Sequence, residues 1–109
     1  MQLNILKFPA WEGFAVESII RSHRAGPGDC YFWSTHAGAE LDLLVFESGR
    51  RIGYEIKHTD APRMTRSLGI AQTDLKIDDL YVVYPGSKRF PLDDRIHAAG
   101  LQGLVQGCP

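Results

Sequence analysis

The sequence has no apolar run approaching the ~18 residues that a membrane-spanning helix requires. Its opening residues, Met1-Gln-Leu-Asn-Ile-Leu-Lys-Phe-Pro, lack the charged-then-apolar layout of a signal peptide, so a cytoplasmic location without a membrane is the expectation. It has only two cysteines, Cys30 and Cys108, too far apart for a zinc motif or a disulfide framework. Cys30, inside an aromatic run, is expected to be a small buried apolar residue. It also has no excess of positive charge: 12 Lys and Arg against 13 Asp and Glu give a net charge of −1. A protein that coats nucleic acid by neutralising phosphates would be basic, so that class is disfavoured. An enzyme whose bound metal ions supply the local positive charge is not. Repeats and low-complexity segments are absent as well.

What is there is an ordinary globular composition, 109 residues with 44% hydrophobic and 23% charged, which predicts one domain around one core. Residues 11–24 read as a helix, with Ala15, Val16, Ile19, Ile20 and His23 on one side. Gly26-Pro27-Gly28-Asp29 ends it. The aromatic-rich stretch 30–36 predicts a strand, and His36-Ala-Gly-Ala a turn. Residues 40–47 and 51–57 predict two further strands around a short turn at Ser48-Gly49-Arg50. A second helix is expected over 62–76, capped by Thr59 or Asp60, with Pro62 in its first turn and Met64, Leu68, Ala71 and Leu75 as its apolar stripe. Residues 79–84 form a fourth strand, and the tail 88–109 holds one short strand near Ile96–Ala99. The order α, β, β, β, α, β predicts an α/β fold: an antiparallel meander, then a parallel βαβ unit, in a small mixed sheet flanked by helices.

Three charged residues interrupt strands that otherwise read as buried: Asp42, Glu55 and Lys57. Charges in such places are seldom fully buried unless paired or metal-bound. Glu55 and Lys57 lie two apart, so they share one sheet face, about 7 Å from each other along the strand. Asp42 joins them if the turn has two residues. A turn at Ser48-Gly49 pairs position 42 with 55, and one at Gly49-Arg50 pairs it with 57. A regular three-residue loop would pair 42 with 56 and need a bulge to restore the face. Two close carboxylates repel unless a cation sits between them. Oxygen donors with water access suit Mg²⁺, with Mn²⁺ as a substitute and either the Glu55 backbone or the Ile56 carbonyl as a further ligand. A lysine beside such an ion can position water or stabilise charge on phosphorus, which is the equipment of metal-assisted phosphodiester hydrolysis.

Asp42, followed after twelve residues by Glu55-Ile56-Lys57, resembles the D…(D/E)xK motif of restriction-endonuclease-like folds, whose core runs α-β-β-β-α-β. More narrowly, the segment from Tyr31 through Glu40-Leu-Asp42, with Gly53-Tyr-Glu-Ile-Lys57, resembles the DUF4143 family, over about residues 11–85. The resemblance implies a nuclease-like domain with catalytic residues Asp42, Glu55 and Lys57, and with Glu17 on the first helix assisting. It implies DNA as the substrate, and Arg66 and Gln72 on the second helix as substrate contacts. Further implied partners are an AAA-type ATPase domain and a second copy of the chain. No G-x-x-x-x-G-K-[ST] loop is present, and Gly86-Ser-Lys is no substitute, so ATP-coupled activity is not expected of this chain by itself.

Each residue also has a plainer reading. Asp42, Glu55 and Lys57 can form a structural ion-pair network. Glu17 can pair with Arg21 one helical turn on, and Glu12 suits the start of the helix dipole. Glu40 is expected to face solvent, as are Arg66 and Gln72. His58 should point to the face opposite Lys57, while His23, His36 and His97 show no ligand spacing. Tyr31-Phe32-Trp33 could stack on bases but belongs more naturally to the core. Arg50, Arg51, Arg63 and Arg66 read as surface charges that could touch phosphates. The alternative to a nuclease is therefore a non-catalytic interaction module of the same fold.

Overall fold

Alternation of apolar residues along three successive strands builds the first half of the sheet. β1 (Cys30–Ser34), β2 (Glu40–Glu47) and β3 (Arg50–Ile56) form the expected antiparallel meander. The computed structural model describes residues 8–24, 26–35 and 38–106, the side chains of Pro27 and Gln106 excepted. Positions 36 and 37 of the expected turn lie outside them, as do Cys108 and residues 1–7. β4 (Asp79–Tyr84) lies parallel to β3, as a βαβ unit requires. Three helices, α1 (Ala10–His23), α2 (Arg66–Leu75) and α3 (Leu101–Gln106), accompany the sheet.

The β2–β3 turn decides between the registers left open above. Ser48 and Gly49 both adopt positive φ, 52° and 78°, the signature of a two-residue type I′ turn. Glu47 consequently pairs with Arg50 and Leu43 with Tyr54, a register that carries Asp42 opposite Glu55.

Two expectations are corrected. The second helix begins at Arg66, not 62. Thr65 caps it, its hydroxyl oxygen accepting the Leu68 N–H at 3.3 Å. Thr59 instead serves a turn, accepting the Ala61 N–H. The physical reason is that Pro62 disfavours helix in the residue before it, and residues 62–64 run on without helical structure to the cap. The tail is also richer than one strand. β5 (Arg89–Asp93) precedes β6 (Ile96–Gly100), and β6 inserts beside β4 in parallel while β5 forms the antiparallel edge. The sheet therefore has six strands in the order β1-β2-β3-β4-β6-β5.

Each sheet face carries its own core. Ala15, Val16 and Ile19 of α1 pack with Leu43, Val45, Tyr54, Ile56 and Val83, joined by Leu101 of α3. On the other face Leu68 and Ala71 of α2 pack with Leu41, Leu44, Ile77, Leu80, Val82 and Ile96. The hydrophobic effect on both faces holds the sheet between the helices.

Candidate functional site

Strand alternation sends Ile52, Tyr54 and Ile56 of β3 toward α1, and Gly53, Glu55 and Lys57 toward α2. Gly53 shows how tightly that second side is filled. A methyl group there would sit 2.8 Å from Leu80 and 3.0 Å from Ile77. Glu55, next along the same side, is only 8% exposed.

Asp42 reaches Glu55 through a defect in the ladder. β1 pairs Tyr31 with Leu44 but Trp33 with Leu41, so Asp42 and Leu43 together oppose the one residue Phe32. This is a β-bulge on β2, a device that re-aims side chains and interrupts pairing. Here it sends Leu41 into the α2 core and Leu43 into the α1 core. At the bulge, side chains replace the backbone ladder. The Ile56 N–H donates to Asp42 Oδ2 at 2.8 Å, and the Asp42 N–H donates to Glu55 Oε1 at 3.3 Å. Lys57 completes the group, its Nζ 3.6 Å from Glu55 Oε2 and its side chain 51% exposed. The lysine thus sits at the solvent end and Glu55 at the buried end.

The electrostatics follow from that placement. Burial, and then the neighbouring Asp42 charge, push the Glu55 carboxyl up to about 8, while Lys57 pulls the other way. Burial also raises Asp42, opposed by its hydrogen bonds with Glu55 and Ile56 and by Lys57, and reinforced by the Glu40 charge. Burial and mutual repulsion together make the pair resist carrying two negative charges. Among the described residues no group of three or more His, Cys, Asp and Glu gathers around a common centre. The protein offers two carboxylates, with a lysine beside them.

The remaining residues fall into place around this group. Glu17 is exposed on α1, the helix that packs on the other sheet face. Arg66 is exposed at the start of α2 and lines a cavity of about 300 Å³ with Gly38, Ala39, Ser67 and Ile70. Ser67 ties that edge to β2, its hydroxyl accepting the Glu40 N–H at 2.9 Å. Gln72 is half-buried, and its carbonyl accepts the Lys76 and Ile77 N–H groups that close α2. His58 stacks near Trp11 at 5.4 Å, on the α1 side, as alternation predicts. Arg50 and Arg51 are committed elsewhere, Arg50 to Asp79 at 2.5 Å and Arg51 to the Leu75 carbonyl at 2.8 Å. Tyr31 bonds the Gly28 carbonyl and meets Phe46 edge-on, and Trp33 packs on the α2 core.

Sequence reasoning missed the role of His23. Its Nδ1 bonds Glu47 Oε2 and its Nε2 bonds the Tyr54 hydroxyl, both at 2.5 Å, tying the end of α1 to β2 and β3. The signal was faint: a histidine at the end of the apolar stripe, with partners 24 and 31 residues away.

Two curated proteins are similar to the chain, the uncharacterized proteins Mb2031c of Mycobacterium bovis and Rv2008c of Mycobacterium tuberculosis, each 45% identical over 89 residues. The match covers 82% of this chain but 20% of each relative, so the chain spans about a fifth of their length. No solved structure matches. The family model described as "Domain of unknown function (DUF4143)" matches residues 9–104, and the chain belongs to that family.

Proposed function

We propose that this is a divalent-metal-dependent phosphodiesterase domain of restriction-endonuclease-like type, acting on DNA. The observation that supports it best is the hydrogen-bonded Asp42–Glu55 pair with Lys57 at its solvent end. A buried carboxyl that must keep a proton to tolerate its neighbour fits a site whose charge is completed by a cation. The donors are oxygens only, and paired carboxylates suit Mg²⁺ or Mn²⁺, which take their other ligands from water and substrate phosphate. Asp42 and Glu55 would hold the ion, which when bound supplies Lewis acidity toward water and phosphate. The Lys57 ammonium would orient the attacking water or stabilise charge on a phosphoryl oxygen. Arg66, at the mouth of its cavity, and Gln72 are the proposed contacts to the substrate backbone, whereas Glu17, on the other sheet face, falls outside the site.

One finding favours a second reading. The relatives are about five times as long as the matched segment, so the domain can also serve as a docking module, for example beside an AAA-type ATPase domain. Calorimetry with Mg²⁺ and Mn²⁺ separates the two, on the natural chain and Asp42→Asn, with and without duplex DNA. The nuclease reading expects binding that Asp42→Asn removes, and plasmid cleavage that Lys57→Ala removes. Absence of both binding and cleavage, with DNA present, leaves the docking module.

A further inference from the structure

We propose that the substrate strand crosses the carboxyl end of β3 and stacks one nucleobase on the ring pair of His58 and Trp11, which makes single-stranded DNA the form that binds. This rests on the phosphodiesterase reading above and names its substrate more narrowly. Strands β3, β4 and β6 are parallel, so their carboxyl ends share one edge of the sheet. Open α/β sheets bind ligands outside that edge. Glu55 and Lys57 lie there, and antiparallel β2 brings Asp42 to them. His58 is the next residue, and alternation turns it over the edge onto the α1 side, beside Trp11. A strand whose phosphate meets Lys57 therefore finds His58 one residue away, about 3.8 Å along the chain.

The backbone at His58 is fixed, while its side chain has one neighbour. The Lys57 N–H donates to the Val83 carbonyl at 2.8 Å, tying the strand end to β4, and the Thr59 N–H returns to the Lys57 carbonyl at 3.0 Å. That second bond closes a γ-turn with His58 at its centre, a turn common at strand ends. The imidazole lies 5.4 Å from the Trp11 ring, with the planes 30° apart. Trp11 is half-buried against the α1 core and forms a firm backing, whereas His58 is exposed. Among the described residues nothing bonds the His58 nitrogens and no carboxylate pairs with them. His23 is the contrast, since both of its nitrogens are taken. An exposed ring backed by a second ring, beside a phosphate-directed lysine, is the equipment of sequence-tolerant base stacking. Stacking needs no excess of basic residues, which this chain lacks. The base must leave its neighbours to reach the ring, so a duplex has to open there and a single strand does not.

The test is steady-state cleavage, with Mg²⁺, of a single-stranded oligonucleotide of about 12 nucleotides and of its duplex, by the natural chain, His58→Ala and His58→Phe. The natural chain should cut the single strand with the lower KM. His58→Ala should raise that KM about tenfold, with a much smaller change in kcat, as loss of one base stack predicts. His58→Phe keeps a ring without the nitrogens and should restore KM. A base-free deoxyribose-phosphate oligomer of the same length should be cut with one KM by all three chains. Circular dichroism melts should agree, because His58 is exposed. A single-strand KM that His58→Ala leaves unchanged, or that His58→Phe fails to restore, overturns this inference and leaves the phosphodiesterase reading standing. A natural chain that cuts neither form overturns that reading, and this inference with it.

Discussion

The two faces of β3 are made by neighbouring residues and behave in opposite ways. Toward α1, Tyr54 and Ile56 are buried against an apolar helix, and Tyr54 is clasped by His23. Toward α2, Glu55 is buried as well, yet it carries a carboxyl beside another carboxyl. The first face is satisfied by packing and one polar clasp. The second retains an electrostatic conflict that a proton relieves and that a cation would relieve better. Low contact with solvent thus has two meanings in one strand: cohesion on one side, held-back charge on the other.

The largest effect expected on this contrast is chemical. Asp42→Asn keeps an oxygen for the Ile56 N–H but removes a charge from the proposed metal site. Metal-dependent hydrolysis should then fall by about 10³-fold, measured on plasmid DNA, with a near-natural melt. The α1 side should instead respond through stability alone. Leu43→Ala opens a cavity in that core and should cost about 2–5 kcal/mol by urea denaturation.

A pH series distinguishes the charged face from a structural ion-pair network. Glu55 titrates ordinarily near 4.5 and in the fold near 8. Between those values the folded state binds more protons than the unfolded one, so metal-free stability should decline as pH rises from 4.5 toward 8. Glu55→Gln mimics the protonated form. At pH 8 it should melt above the natural chain while losing metal binding. A network held together by Glu55 and Lys57 predicts the reverse, a lower melt, because the pair would be broken. The smallest effect belongs to neither face: Thr65→Ala should remove the cap of α2 at about 1 kcal/mol, read by thermal melting.

Much of this arrangement was legible before any coordinates. The four strands through Tyr84, the antiparallel and parallel pairings, and the Asp42–Glu55–Lys57 grouping follow from alternation and from a glycine turn. The choice between Ser48-Gly49 and Gly49-Arg50 was not legible, since glycine suits either, and backbone angles settle it. The bulge at Asp42–Leu43 left no local trace, because it exists only relative to β1. β5 was hidden by Pro91, which argues against a strand except at an edge, where this one lies. The start of α2 was misplaced because two polar residues before Pro62 resemble caps, whereas the working cap is the later Thr65.

The bulge also makes β2 a counting device. With two residues of β2 set against one of β1, the strand holds two phases, one before the defect and one after it. Deleting a single residue there would do more than shorten the strand. It would fuse the phases, and one of the two would have to present its apolar residues on the wrong side. Chain length at this point is therefore as constrained as chemistry. Substitutions around Asp42 should be tolerated far more often than insertions or deletions, while the loop at Ser48-Gly49 bears only on the partner register.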